Sequence, residues 1–214
     1  MRSAQLLKKQ KRSDNTIYNA FVFDDGVEEI RLYGFNITAN NKKRRYLIEL
    51  HISNGFAMVK FYPKCLKNNK QKFQLRGKEQ IGFTVDFSSI RELLYACALV
   101  MRDYLDENQN CFVGYIGQTD DKDNRLQKKR VRSQRSDIYN LLTNSIFIYP
   151  KYKLSSRLIF EEVNLRLIRK VTSKQEGKIT KIQMKNYNLF LDFFEKNKDK
   201  HLELMTEKTR NQYL

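Results

Sequence analysis

The sequence has no tryptophan, two prolines, eight glycines, three cysteines and two histidines in 214 residues. So little proline and glycine excludes a collagen and argues against long flexible linkers. The cysteines are Cys65, Cys97 and Cys111, an odd number at spacings of 32 and 14 with no C-x-x-C pair. That pattern excludes a disulfide knot, a zinc ribbon and a thioredoxin motif. His51 and His201 are the only histidines, so a Cys/His zinc site is hard to build. The cysteines read as small buried hydrophobes in a reducing compartment. Long apolar runs are also missing. The longest, Leu93–Met101, has nine residues, against roughly 20 needed to span a bilayer. The N-terminus turns basic after Leu7 and shows no apolar core of a signal peptide. These absences predict a cytoplasmic protein with no membrane partner.

Acidic residues are comparatively few. Lys and Arg number 41 against 24 Asp and Glu, a formal charge of +17. A charge of this size points to an anionic partner, most often nucleic acid. A bias toward Lys, Asn and Ile codons would also raise the charge, but 16 of the 41 cations are Arg. Fourteen Phe and twelve Tyr supply the apolar area for a core. At about 150 residues folding already buries roughly two thirds of the unfolded surface.

Residues 1–14 carry Arg2, Lys8, Lys9, Lys11 and Arg12 and read as a basic arm, frayed or a short helix. Strand-like runs follow at Thr16–Phe23, Val27–Ile37, Arg44–Ile52 and Phe56–Tyr62. Asp24-Asp25-Gly26 and Ser53-Asn54-Gly55 mark hairpin turns. In the third run Tyr46, Ile48, Leu50 and Ile52 share one face, and Leu47, Glu49 and His51 the other. Lys64–Lys78 reads as a loop, and Gln80–Asp86 as a short fifth strand. Ser89-Ile90-Arg91-Glu92 fits a capping box opening a helix to about Glu107, apolar on more than half its circumference. Beyond it the pattern predicts a strand at Cys111–Gly117, a basic helix at Arg125–Asn144 and a short strand at Ile146–Tyr149. A further strand is expected in the second half of Arg157–Lys170. Lys178–Lys198 reads as a helix with Ile182, Leu189, Phe190 and Phe193 as its apolar stripe, placed against the core or against another subunit.

The fold class expected is α+β, an antiparallel β-meander with helices packed on one face plus C-terminal helices. Its divisions are a basic arm at 1–14, a core at 15–172 and a helical appendage at 178–214. The sequence leaves the oligomeric state open.

The sharpest chemical feature is Arg125–Arg135, which contains no acid. Arg125, Lys128, Lys129, Arg132 and Arg135 stand at i, i+3, i+4, i+7 and i+10, one continuous basic face on a helix. Like charges so placed repel by a few tenths of a kcal/mol per pair, and bound phosphate would offset that cost. Lys42, Lys43, Arg44 and Arg45 form a second basic run at a hairpin. Lys64, Lys67, Lys70, Lys72, Arg76 and Lys78 form a third, interleaved with Tyr62 and Phe73.

Gly114-Tyr115-Ile116-Gly117, followed by Thr119 and by Arg125 on the next helix, resembles the second half of the GIY-YIG nuclease signature. That resemblance implies Tyr115 and Arg125 around a scissile phosphate, with a glutamate-bound divalent metal. The first half of the signature has no counterpart upstream, where Val100–Asn110 reads as a helix end. A meander, helix, strand and helix is also similar in outline to acyl-CoA N-acetyltransferases. Their phosphate loop is rich in Gly, however, whereas Gln118–Asn124 holds three Asp and no Gly. Asp120, Asp121 and Asp123 offer oxygen ligands for a hard cation or a solvated turn. No G-x-G-x-x-G, P-loop or G-x-S-x-G motif occurs, and no cofactor is implied.

The function expected is non-enzymatic binding of nucleic-acid phosphate by Arg125, Lys128, Lys129, Arg132 and Arg135, flanked by Lys42–Arg45. The alternative partner is an acidic protein. A third reading is the metal-dependent nuclease.

Overall fold

The computed structural model describes residues 5–11, 29–39, 42–53, 55–68, 87–116, 141, 143–148, 150–154, 165–171 and 178–192. They form one seven-stranded mixed sheet with helices on both faces, an α+β arrangement. The strands are β1 (Gln5–Lys11), β2 (Glu29–Ala39), β3 (Lys42–Ser53), β4 (Phe56–Pro63), β5 (Phe112–Ile116), β6 (Tyr152–Leu154) and β7 (Leu165–Lys170). Their spatial order is β1-β2-β3-β4-β5-β7-β6. Helix α1 (Phe87–Glu107) links β4 to β5.

The meander follows from local chemistry. Alternation in β2, β3 and β4 puts Phe35, Ile37, Tyr46, Ile48, Leu50, Ala57 and Val59 on one face, all buried in the core. Ser53 pairs with Phe56 across a tight turn in which Gly55 takes a φ of +81°. A side chain is disfavoured there. A Cβ would also run into the Asn186 amide, which donates to the Asn110 carbonyl at 3.0 Å. Gly55→Ala is therefore expected to destabilise by roughly 1–3 kcal/mol, the cost of a strained backbone position. A downward shift of the urea midpoint at unchanged slope would verify this.

Four features of strand pairing and element boundaries differ from the sequence reading. The sheet is mixed rather than antiparallel: β4 and β5 run parallel, Phe56 beside Phe112 and Met58 beside Gly114. The cause is α1. A 21-residue helix packed on the sheet returns the chain to the same end from which β4 began. Second, Gln5–Lys11 is a strand antiparallel to β2, not a frayed arm or a helix. Third, α1 opens at Phe87, so Ser89 lies inside its first turn and does not cap it. Fourth, Ile146 ends a helical turn, with the Phe147 amide donating to the Thr143 carbonyl at 2.8 Å, where a short strand was expected. The strand of that region is β6. Strand β7 falls in the second half of Arg157–Lys170, as the pattern suggested.

Helix α1 covers the first face with Leu93, Ala96, Cys97, Val100, Met101, Tyr104 and Leu105. Helical residues 181–192 lie on the second face, so the helices are not confined to one side. There Phe190 stacks on Phe56 with ring centroids 4.1 Å apart, and Tyr187 meets Phe112. Of the expected stripe Phe190 is buried, Phe193 lies outside the described residues, and Ile182 and Leu189 face outward. Ile182 and Leu189 are 56% and 42% exposed, and the docked side is Gln183, Asn186, Tyr187 and Phe190. Gln183 is completely buried because it serves backbone ends. Its Nε2 donates to the carbonyls of Gln109 (2.9 Å) and Lys170 (3.0 Å). Thr180 and Gln183 also form a reciprocal capping box, with the Gln183 amide donating to Thr180 Oγ1 at 3.0 Å and Thr180 N to Gln183 Oε1 at 3.3 Å.

The far end of α1 is tied to the sheet by ions. Arg31 donates to Glu107 at 2.6 Å and to Glu29 at 2.8 Å, with its guanidinium 5.4 Å from the Tyr104 ring centre. Asp106 accepts from Lys170 (2.9 Å), Lys151 (3.1 Å) and Tyr152 (2.8 Å). Burial opposes the Asp106 charge. Hydrogen bonds from Lys170, Tyr152 and Lys151 outweigh it and hold the carboxyl down at about 2. A depressed folded pKa means stability present above the unfolded value near 3.9 and lost as pH falls toward about 2. With Asp106 one third exposed, solvent screening leaves this contribution on the order of 1 kcal/mol. Asp106→Asn should abolish that part of the acid-side slope in urea titrations between pH 5 and pH 2, which a wild-type slope in the variant would contradict.

Candidate nucleic-acid interface

The register of the meander gathers cations at one end of the sheet. Ala39 pairs with Lys42 at the β2–β3 turn, and Tyr46 pairs with Pro63 at the end of β4. The 3-10 turn Lys64–Leu66 follows directly. Two basic runs that lie about twenty residues apart in sequence therefore meet. Lys43, Arg44 and Arg45 from the hairpin and Lys64 and Lys67 from the turn are all exposed. Burial pushes the Tyr46 phenol up to about 12, the Cys65 thiol adds to this and Arg44 opposes it. These three groups thus stand together at the cationic end.

Carboxylates collect at the opposite end, where β2 begins and α1 finishes. Glu29 and Glu107 engage Arg31, Asp103 engages Arg102, and Asp106 engages Lys151 and Lys170. Among the described residues, one end thus groups exposed cations from two segments, and the other holds acids paired with cations together with further exposed lysines, Lys178 and Lys181 among them. A group of exposed cations raises the local potential for anions.

The basic stripe Arg125, Lys128, Lys129, Arg132 and Arg135 lies outside the described residues, as does the Asp120–Asp123 cluster. So do the runs at Thr16–Phe23 and Gln80–Asp86, the Asp24-Asp25-Gly26 turn and the side chain of Lys42. Lys43, Arg44 and Arg45 are where the hairpin reading placed them. The cysteines divide: Cys97 is buried, Cys111 half-buried and Cys65 exposed, so the last is not a core residue.

The structure does not extend the GIY-YIG resemblance. Tyr115 is 1% exposed and packs in the core on the α1 side of the sheet. Upstream, where the first strand of that signature would stand, α1 continues to Glu107. Among the described residues no group of three or more His, Cys, Asp and Glu is placed to hold a metal ion. No described helix is long and apolar enough to cross a membrane.

One cluster was not singled out from sequence. On the second face, Glu49 and His51 of β3 stand beside Lys60 and Tyr62 of β4, all buried. Tyr62 Oη donates to Glu49 Oε1 at 2.5 Å, and His51 Nε2 lies 2.9 Å from Glu49 Oε2. Arg169 on β7 is buried on the same face, and burial pushes its guanidinium pKa down. The available signal was Glu-x-His on the strand face opposite the apolar one, which reads equally well as solvent-facing alternation.

Comparison with models of known protein families, with curated proteins and with solved structures finds no match.

Proposed function

We propose that the protein binds nucleic acid through its phosphate backbone. The observation that supports this best is the grouping, by strand register, of exposed Lys43, Arg44, Arg45, Lys64 and Lys67 at one end of the sheet. The net charge of +17 agrees with it. In this reading the basic stripe from Arg125 to Arg135 adds further phosphate contacts, and the protein works in the cytoplasm. Contacts of this kind fix position and orientation and carry no sequence information by themselves.

Each neutralised duplex phosphate contributes about −0.9 to the slope of log affinity against log salt. Fluorescence anisotropy with labelled single- and double-stranded DNA and RNA, from about 50 to 300 mM salt, should therefore give a slope of several units. Absence of binding at the lowest salt overturns the reading. Pull-down of an acidic protein in its place would redirect it to a protein partner.

A further inference from the structure

The β2–β3 hairpin runs on beyond both of its neighbours. Along β2 the pairing with β1 stops at Gly34, the partner of Gln5, and along β3 the pairing with β4 stops at Tyr46, the partner of Pro63. Among the described residues, the pairs from Asn36–Arg45 out to Ala39–Lys42 therefore form a ribbon of two strands only. That stretch is roughly 10 Å long at about 3.3 Å per residue. Its two faces differ in kind. Cross-strand partners share a face, and alternation sets Phe35, Ile37 and Tyr46 together on one of them. All three are buried in the core, so the ribbon is rooted and its direction fixed. The other face carries Asn36, Thr38, Lys43 and Arg45. Of these Thr38, Lys43 and Arg45 are exposed and Asn36 is half-buried. Each of the four has a hydrogen-bonding side chain.

We propose that this ribbon enters the major groove of double-stranded DNA, an inference that rests on the nucleic-acid reading and names its substrate. A B-form major groove, about 12 Å wide and about 8.5 Å deep, admits a two-stranded β-ribbon. The two strands lie about 4.8 Å apart, which leaves width for side chains on either side. The deep, narrow major groove of an RNA duplex does not admit side chains. Single-stranded nucleic acid is held on exposed aromatic rings, where its bases stack. The rings on or beside this ribbon by register, Phe35, Tyr46 and Tyr62, are all buried. Lys43, Arg44 and Arg45 reach the phosphates that wall the groove, with Lys64 and Lys67 of the adjoining turn as further contacts. Asn36 and Thr38 carry no charge and are too short to reach those walls, so they meet the base edges on the floor. An asparagine amide matches adenine N6 and N7. A threonine offers its hydroxyl to a base and its methyl to thymine.

The test uses the full-length protein and a DNA duplex selected for binding from a random pool. Anisotropy at one salt concentration compares that duplex with a scrambled one, with its separate strands and with an RNA duplex of the same sequence. The selected duplex should bind at least about tenfold tighter than each of the others. Dimethyl sulfate methylates guanine N7 in the major groove and adenine N3 in the minor groove. Bound protein should shield N7 and leave N3 reactive. Asn36→Ala combined with Thr38→Ala should narrow the margin over the scrambled duplex by about fivefold or more, the scale of one lost base contact. The salt slope should not change, because no charge is removed, and the thermal midpoint reports folding. If the double variant does not fold, Thr38→Ala, at an exposed position, is read in its place. A folded variant with the wild-type margin overturns the proposal. So does a pool that enriches no sequence, equal binding of single strands or RNA, or protection confined to adenine N3. Each of these leaves the phosphate grip standing. Failure to bind any of the probes removes the binding reading itself.

Discussion

Charge reversal at Lys43, Arg44 and Arg45 is expected to weaken duplex binding by roughly 10²–10³-fold near 100 mM salt. The salt slope should become shallower by about 2.7, three contacts at about 0.9 each. All three side chains are exposed on the β2–β3 hairpin. Surface substitutions of this kind usually change stability by less than about 0.5 kcal/mol. The loss would therefore be one of binding and not of folding, which an unchanged thermal midpoint checks. Glutamates at Lys178 and Lys181 supply the control, because these exposed lysines begin the 181–192 helix at the opposite end of the sheet. A local grip predicts a much smaller effect there per charge removed. Equal losses from the two ends would mean that net charge, and not the cationic end, governs binding.

Leu50→Ala should be a strongly damaging truncation in the core. Leu50 is fully buried near the middle of β3, in the apolar cluster between the meander and α1. Removing three carbons there loses transfer free energy and leaves a cavity that two rigid layers close poorly. Leu→Ala changes at such sites cost about 2–5 kcal/mol. For a domain of this size that lowers the melting temperature by roughly 4–20 °C. Against a total stability of about 5–15 kcal/mol, it removes a large share. Leu189→Ala, at a residue 42% exposed on the 181–192 helix, should cost far less. Thermal melts of both variants side by side would check the contrast, and similar losses would place the core elsewhere.

The parts legible in advance were those encoded over short stretches. Alternation of Tyr46, Ile48, Leu50 and Ile52 set the inward face of β3. Asn54-Gly55 marked its turn, and the apolar density of Leu93–Met101 marked the helix that covers it. On the 181–192 helix hydrophobicity located Phe190 on the docked side but not its polar neighbours. Gln183 and Asn186 are buried to satisfy carbonyls at Gln109, Lys170 and Asn110, partners between 13 and 76 residues away.

By itself the sequence determined the excess of positive charge, the strands β2, β3 and β4 and the helix that follows them, because composition and periodicity are local properties. Only the tertiary structure decided that β5 lies parallel to β4, that Gln5–Lys11 extends the sheet, and that Lys64 and Lys67 stand beside Lys43–Arg45. It also decided that Glu49 faces Lys60 inside the protein rather than water. Each of these depends on which strands pair and on what closes over a face. Backbone hydrogen bonding and burial settle that between segments far apart in the chain, and no short window of residues carries it.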